Sequence, residues 1–93
     1  MNDKKELVLF YKNSCPFCHE FEYTWEKLKE SIKSFKFTEI NLNDTKNQQL
    51  REHFKVKTVP TLYFCLNDKA KIFKANNKEE RNYNDIVKFI SQK

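Results

Sequence analysis

The fold of this chain follows from one stretch, Leu7-Val8-Leu9-Phe10-Tyr11-Lys12-Asn13-Ser14-Cys15-Pro16-Phe17-Cys18. Its first five residues are consecutive, apolar and rich in strand formers, which suits a short strand buried on both faces. After the loop Lys12 to Cys15, Pro16 stands where a first helical residue is favoured, since its missing N–H would be unsatisfied there anyway. Phe17, Phe21, Trp25, Leu28, Ile32 and Phe35 recur at steps of four and three, predicting an amphipathic helix of about five turns. Glu20, Glu22, Lys27, Lys29 and Lys33 form its wet face. Two cysteines three apart at such a helix start lie within about one turn, near enough for a disulfide. Cys15 stands just before the first full turn, where unpaired N–H groups and the positive dipole end stabilise a thiolate. Lys12 adds to that field, whereas Cys18 is expected to be more buried and less acidic. The pair is therefore non-equivalent, one thiol suited to attack and the other to resolve. Phe17, between the cysteines, is expected to be exposed, either as a substrate contact or simply as a partly covered ring.

Working outward, Lys36 to Leu42 predicts a second strand. Asn43 or Asp44 can cap a short helix with Leu50, Phe54 and Val56 as its apolar positions. Thr58-Val59-Pro60 interrupts it, and Thr61-Leu62-Tyr63-Phe64-Cys65-Leu66 is a strongly strand-forming run. Asn67-Asp68 turns the chain into Lys71-Ile72-Phe73-Lys74-Ala75 as an antiparallel hairpin. Asn82 or Asn84 caps a last helix with Tyr83, Ile86, Val87 and Ile90 on one face. The order is β-α-β-α-β-β-α. A strand, helix, strand start implies a right-handed parallel crossover, so an α/β fold follows, a mixed four-stranded sheet with helices on both faces.

Composition narrows the function. The 93 residues read as a single domain, 1–93, with no repeat or linker, and 39% apolar residues including nine Phe support a small aromatic-rich core. There is no glycine, which excludes Walker-type phosphate loops and the GxGxxG dinucleotide fingerprint. Turns must use Asn and Asp instead, at Asn43-Asp44, Asn67-Asp68 and Asn76-Asn77. The net charge of +5 comes from 18 basic residues, but only Arg51 and Arg81 are arginines and the lysines are scattered. That argues against specific nucleic-acid recognition. The Lys and Asn excess matches the coding bias of an AT-rich genome as well as it matches a selected basic surface. No apolar run spans a bilayer and no secretory pattern is present, so a cytoplasmic, monomeric protein that engages no membrane is expected.

Other uses of the cysteines are weaker. A zinc site would need two more ligands beside Cys15 and Cys18; Cys65, His19 and His53 are the candidates, but no second CxxC exists. Cys18-His19 completes a C-x-x-C-H string, yet Pro at the first x and the single methionine, Met1, oppose haem attachment. No metal is expected. Cys65 reads as a small buried hydrophobe.

Phe10 to Cys18 resembles the active-site segment of glutaredoxins. Leu50 to Leu62, with Thr58-Val59-Pro60, and Arg81 to Ile90 look like thioredoxins and the thioredoxin-like domains of protein disulfide isomerases. The resemblance covers essentially the whole chain and implies the thioredoxin fold. It also implies a nucleophilic Cys15, a resolving Cys18, a cis Val59-Pro60 bond facing them, and pairing of the Val59 backbone with a substrate chain. Lys12, Pro16, Phe17, Thr58, Val59 and Pro60 are then the substrate-binding positions. Thioredoxins carry a Trp before the first cysteine and a buried Asp six residues upstream; Ser14 and Leu9 stand there here. The Gly-Gly that follows the glutaredoxin cis proline is absent too, although Lys12 and the Thr58-Val59 backbone supply part of a glutathione site.

A thiol–disulfide oxidoreductase acting on disulfide-containing client proteins is the expectation, with no tightly bound cofactor. Its electron donor is expected to be glutathione, as co-substrate, or a thioredoxin-reductase-type protein. The alternatives are a glutathione-dependent glutaredoxin and a non-catalytic binding module on the same fold.

Overall fold

The computed structural model describes residues 4–73 and 82–91. Strand β1 (Lys5–Tyr11) carries Leu7, Val8, Leu9 and Phe10, all buried. Successive side chains of a strand point to opposite faces. Leu7 and Leu9 accordingly join one core, with Phe21, Trp25, Leu28, Leu62, Phe64 and Ile86. Val8 and Phe10 join a second, with Ile40, Leu42 and Val56. The unbroken apolar run is thus explained by cover on both sides.

Helix α1 (Pro16–Ser31) starts at Cys15, whose sulfur accepts the Cys18 N–H, and has Pro16 in its first turn. Its buried stripe is Cys18, Phe21, Trp25 and Leu28. Phe17 lies off that stripe, and the helix is shorter than its periodicity predicts. At Ile32 the backbone leaves helical angles (φ −116°, ψ 86°) while its N–H still bonds Leu28 O. Ile32 and Phe35 pack on the core from outside the helix, Phe35 by stacking on Phe64 with ring centroids 5.6 Å apart. Apolar spacing continues past the point where the backbone turns, because the same core is reached from the following turn.

Strand β2 (Lys36–Asn41) pairs parallel to β1. Asp44 then caps a 3₁₀ turn, Thr45–Asn47, through the Lys46 N–H. Helix α2 (Gln48–His53) follows. Leu50, expected on its apolar face, is exposed, and Phe54 and Val56, beyond the helix end, cover the second core instead. Lys55 takes left-handed angles (φ 55°), the place after a helix where glycine is usual. In a chain without glycine a lysine occupies it, although Asn or Asp was expected at such turns.

Strand β3 (Thr61–Leu66) pairs antiparallel to β1, and β4 (Lys69–Ile72) pairs antiparallel to β3. The sheet order is β2-β1-β3-β4, so β1 and β3 are central. The hairpin turns at Asn67, left-handed at φ 58°. Because that turn is only Asn67-Asp68, pairing begins at Lys69 and β4 lies earlier than expected. Lys74, Ala75 and the Asn76-Asn77 turn lie outside the described residues. Asn82 caps α3 (Tyr83–Ser91), its side-chain oxygen accepting the Asp85 N–H at 2.9 Å. Helices α1 and α3 cover the first core, and Phe54 and Val56, just past the end of α2, cover the second, giving the α/β arrangement expected, with helical segments on both faces.

Phe10 is fully buried against the Phe54 and Tyr63 rings, at centroid distances of 5.3 and 6.1 Å. Phe10→Ala is expected to lower the unfolding free energy by about 3–5 kcal/mol, read from urea melts with an unchanged slope. A loss under about 1 kcal/mol would mean that this ring anchors nothing. Glu39 offers a pH test. The Trp25 indole N–H, at 2.9 Å, holds its carboxyl below the usual carboxylate range; partial burial opposes this and the Lys29 ammonium, at 3.2 Å, adds to it. A carboxyl depressed on folding contributes stability above its unfolded pKa of about 4.3, and that contribution is lost as pH falls through the folded value. Glu39→Gln should therefore lose stability less steeply than the parent below about pH 4.3, and parallel acid limbs would contradict it.

Candidate active site

Where β1 ends, the chain has one short loop in which to turn into α1. That loop is fastened by asparagines. The Asn13 N–H donates to Asn43 Oδ1 at 2.7 Å, and Asn41 Nδ2 donates to Asn13 Oδ1 at 2.9 Å. Asn43 N–H donates in turn to Asn41 Oδ1 at 2.9 Å. His19 closes the loop from the helix side, its Nε2 2.8 Å from Asn13 O and its Nδ1 3.1 Å from Glu22 Oε1. Both ring nitrogens face acceptors, so the imidazolium form is favoured and the pKa rises, the Asn13 carbonyl contributing most and Glu22 next.

Cys15 and Cys18 are both buried. Their Cα atoms lie 5.2 Å apart and the two sulfurs are joined in a disulfide. Cys18 N–H points at the Cys15 sulfur, 3.1 Å away. A charge on that sulfur would be met by an oriented donor and by the helix start behind it. From the opposite side, Val59 O lies 3.7 Å from the same sulfur, and the Val59-Pro60 peptide bond is cis, as the resemblance implied. Pro60 is buried, Val59 half-buried and Thr58 exposed, and Thr61 Oγ1 donates to Thr58 O at 2.5 Å.

The expected site residues fall into two groups. Val59 joins Cys15 and Cys18 at the sulfurs, with Pro60 next to it across the cis bond, and Lys12, Thr58 and Val59 line a cavity of about 40 Å³. Pro16 and Phe17 lie on the exposed first turn of α1, Phe17 at 48% exposure. Arg51 and Lys57 line the small cavity as well. Neither stood out in the sequence. The available signal was position: Arg51 comes one helical turn before the bend that leads into Thr58-Val59-Pro60.

On the other side of Cys18 a larger cavity of about 290 Å³ is bordered by Leu9, Trp25, Glu22, Glu26 and Glu39. Leu9, standing where the resembled family has an acid, is buried, and its register partner on β2 is Glu39. The carboxylates near Cys18 therefore come from α1 and β2 rather than β1. Cys65 is free and half-buried beside the second core. Among the described residues no three His, Cys, Asp or Glu side chains converge to hold a metal ion. No helix of the described residues is long and apolar enough to cross a membrane.

Residues 1–92 match the family model described as Thioredoxin. Among solved structures the chain is similar to thioredoxin-2 of a malaria parasite, with a TM-score of 0.82 at 20% identity, over 100% of this chain and 86% of that one. Thioredoxin f from spinach chloroplast is similar at a TM-score of 0.80 and 18% identity, over 97% of this chain and 76% of that one. So is a thioredoxin f2 solved in complex with ferredoxin:thioredoxin reductase, at a TM-score of 0.78 and 18% identity, over 95% of this chain and 76% of that one. At these identities the structural likeness speaks for the fold, while the family match spans nearly every residue. With its Cys15–Cys18 pair at the start of α1, the chain belongs to the thioredoxin family of thiol–disulfide oxidoreductases.

Proposed function

We propose that this chain reduces disulfides in client proteins, with Cys15 as nucleophile and Cys18 as resolving thiol. One observation carries the proposal: the Cys15 sulfur caps a helix, accepts the Cys18 N–H at 3.1 Å and lies within bonding reach of the Cys18 sulfur. The dithiol form starts the cycle. Cys15 thiolate attacks one sulfur of the client disulfide, forming a mixed disulfide and expelling the other client sulfur as a thiolate. Cys18 then gives its proton to solvent in the larger cavity and attacks the Cys15 sulfur. The second client thiolate leaves, two electrons have passed to the client, and the Cys15–Cys18 disulfide remains. A donor must return those electrons. A protein reductase fits that part, since one structural neighbour was solved in complex with ferredoxin:thioredoxin reductase; a thioredoxin-reductase-type donor is proposed here, and glutathione is the small-thiol alternative. The setting proposed is the reducing cytoplasm, with no tightly bound cofactor.

Docking follows from the same geometry. The Val59 backbone beside the sulfur pairs with the client chain, Thr58, Pro60 and Lys12 shape that edge, and Pro16 and Phe17 on the exposed first turn of α1 form a second rim. Cys15→Ser is expected to abolish disulfide reduction, and Cys18→Ser to accumulate a Cys15 mixed disulfide with the client on non-reducing gels. Retention of full function by Cys15→Ser would favour a non-catalytic binding module, and trapping of glutathione alone would favour a glutaredoxin. In the reduced protein at neutral pH, iodoacetamide should alkylate Cys15 at least about tenfold faster than Cys65. The Cys65 thiol is pushed up by burial and, secondarily, by the Glu6 charge. Equal rates measured by mass spectrometry would remove the basis for treating Cys15 as an activated thiol.

A further inference from the structure

Asn13 lies in the loop that carries Cys15 to the start of α1, and it is held from two directions. Its N–H donates to Asn43 Oδ1 at 2.7 Å and its Oδ1 accepts Asn41 Nδ2 at 2.9 Å, which ties the loop to the end of β2. Its carbonyl is bonded to α1 instead, with His19 Nε2 2.8 Å away. The His19 main chain is engaged as well, its N–H donating to Cys15 O at 3.1 Å. One residue thus grips the segment from Asn13 to Cys15 at both ends, by its backbone at Cys15 and by its ring at Asn13.

The ring faces two acceptors, the Asn13 carbonyl and Glu22 Oε1 at 3.1 Å. A neutral imidazole carries one N–H, so only the imidazolium donates to both. Once the proton leaves, one bond remains, now neutral and roughly half as strong, and the other acceptor meets a bare lone pair. The groups bordering the same cavity are Tyr11 of β1, Lys12 of the loop, Cys18, Glu22 and Glu26 of α1, and Glu39 of β2. Lys29 engages both Glu26 and Glu39, and Lys12 opposes a second positive charge. Glu22 is therefore the carboxylate that favours the charged ring. Bonding outweighs burial here: the His19 side chain is 59% exposed.

We propose that His19 is a positioning residue, a proton-dependent latch that holds the Asn13 to Cys15 loop in the geometry from which Cys15 attacks. The inference rests on the redox function proposed above. The latch acts through the chain and not by touching the sulfur. With Asn13 held at its N–H, side chain and carbonyl, Cys15 keeps its sulfur under the Cys18 N–H. Released at the carbonyl, the loop samples positions in which the thiolate is formed but misaimed, and a misplaced nucleophile reacts more slowly. This differs from a plain charge effect. An imidazolium that only stabilised the thiolate would change how much thiolate forms, not how fast each thiolate attacks.

Single-turnover reduction of a disulfide-bridged peptide by the reduced protein, followed across pH, provides the test. Each rate constant is divided by the Cys15 thiolate fraction read from ultraviolet absorbance. The quotient should fall about threefold over the pH range in which nuclear magnetic resonance shows the His19 ring losing its proton. That range should lie above the ordinary histidine value of about 6.5. His19→Gln keeps one neutral donor and does not titrate, so its quotient should stay flat at the lower level. His19 is exposed, so the replacement leaves the core intact. A second readout needs no turnover. The Asn13 amide, bonded to Asn43 on the other side of the latch, should exchange with solvent about threefold faster in His19→Gln than in the parent below the His19 titration. A quotient with no step at the His19 titration, or a step that persists in His19→Gln, would overturn the latch, as would unchanged Asn13 exchange. Failure of the reduced protein to cleave the peptide at any pH, with Asn13 exchange still following the His19 titration, would overturn the redox function while the hold on the loop stood.

Discussion

Strand β1 has water on neither face, and this constraint fixes the position of everything near the sulfurs. With Leu7 and Leu9 committed to one core and Val8 and Phe10 to the other, the strand cannot slip by a residue without placing every side chain on the wrong side. Its end at Tyr11 is therefore fixed, and with it the distance over which the loop must turn. The asparagine bonds then set the loop, and Cys15 arrives at the helix start with its sulfur under the Cys18 N–H. Reactivity here is positional: the same thiol in the middle of a helix would have no free N–H to receive.

Glu22, Glu26 and Glu39 of α1 and β2 border the cavity beside Cys18 together with Lys12 and His19, while Lys12, Arg51 and Lys57 line the smaller cavity where α2 bends into the cis Val59-Pro60 segment. These side chains come from elements distant in sequence, brought together because β1 lies between β2 and β3. Leu9, near the end of β1, offers Cys18 an apolar neighbour on the wall of the larger cavity and no carboxylate. Glu39, one strand over and held by Trp25, is the nearest carboxylate in register.

Most of the architecture was legible because its signals are local. The five-residue run of β1, the Cys15-Pro16 helix start and the Asn82 cap each depend on neighbours a few residues away, and each stands where expected. The misplacements occur where tertiary packing overrides periodicity. Ile32 and Phe35 keep the helical spacing after the helix has ended, because both still reach the Phe64 layer. Leu50 looked like the apolar anchor of α2, but six residues of helix give that face too little to rest on, and Phe54 takes the burial from beyond the helix end. In the site, the cysteine pair announced itself by spacing. The cis bond was carried by the family likeness, and the grouping of Lys12, Arg51 and Lys57 required the folded chain, since lysines are everywhere in this sequence.

The left-handed Lys55 has a broader implication. A glycine at that bend would be chemically blank, so reshaping the backbone there and decorating the surface would be separate matters. In this chain each sharp bend must carry a side chain, and selection on backbone shape is at once selection on charge. The segment that delivers the cis proline therefore carries the Lys55 and Lys57 ammonium groups into place along with the bend itself.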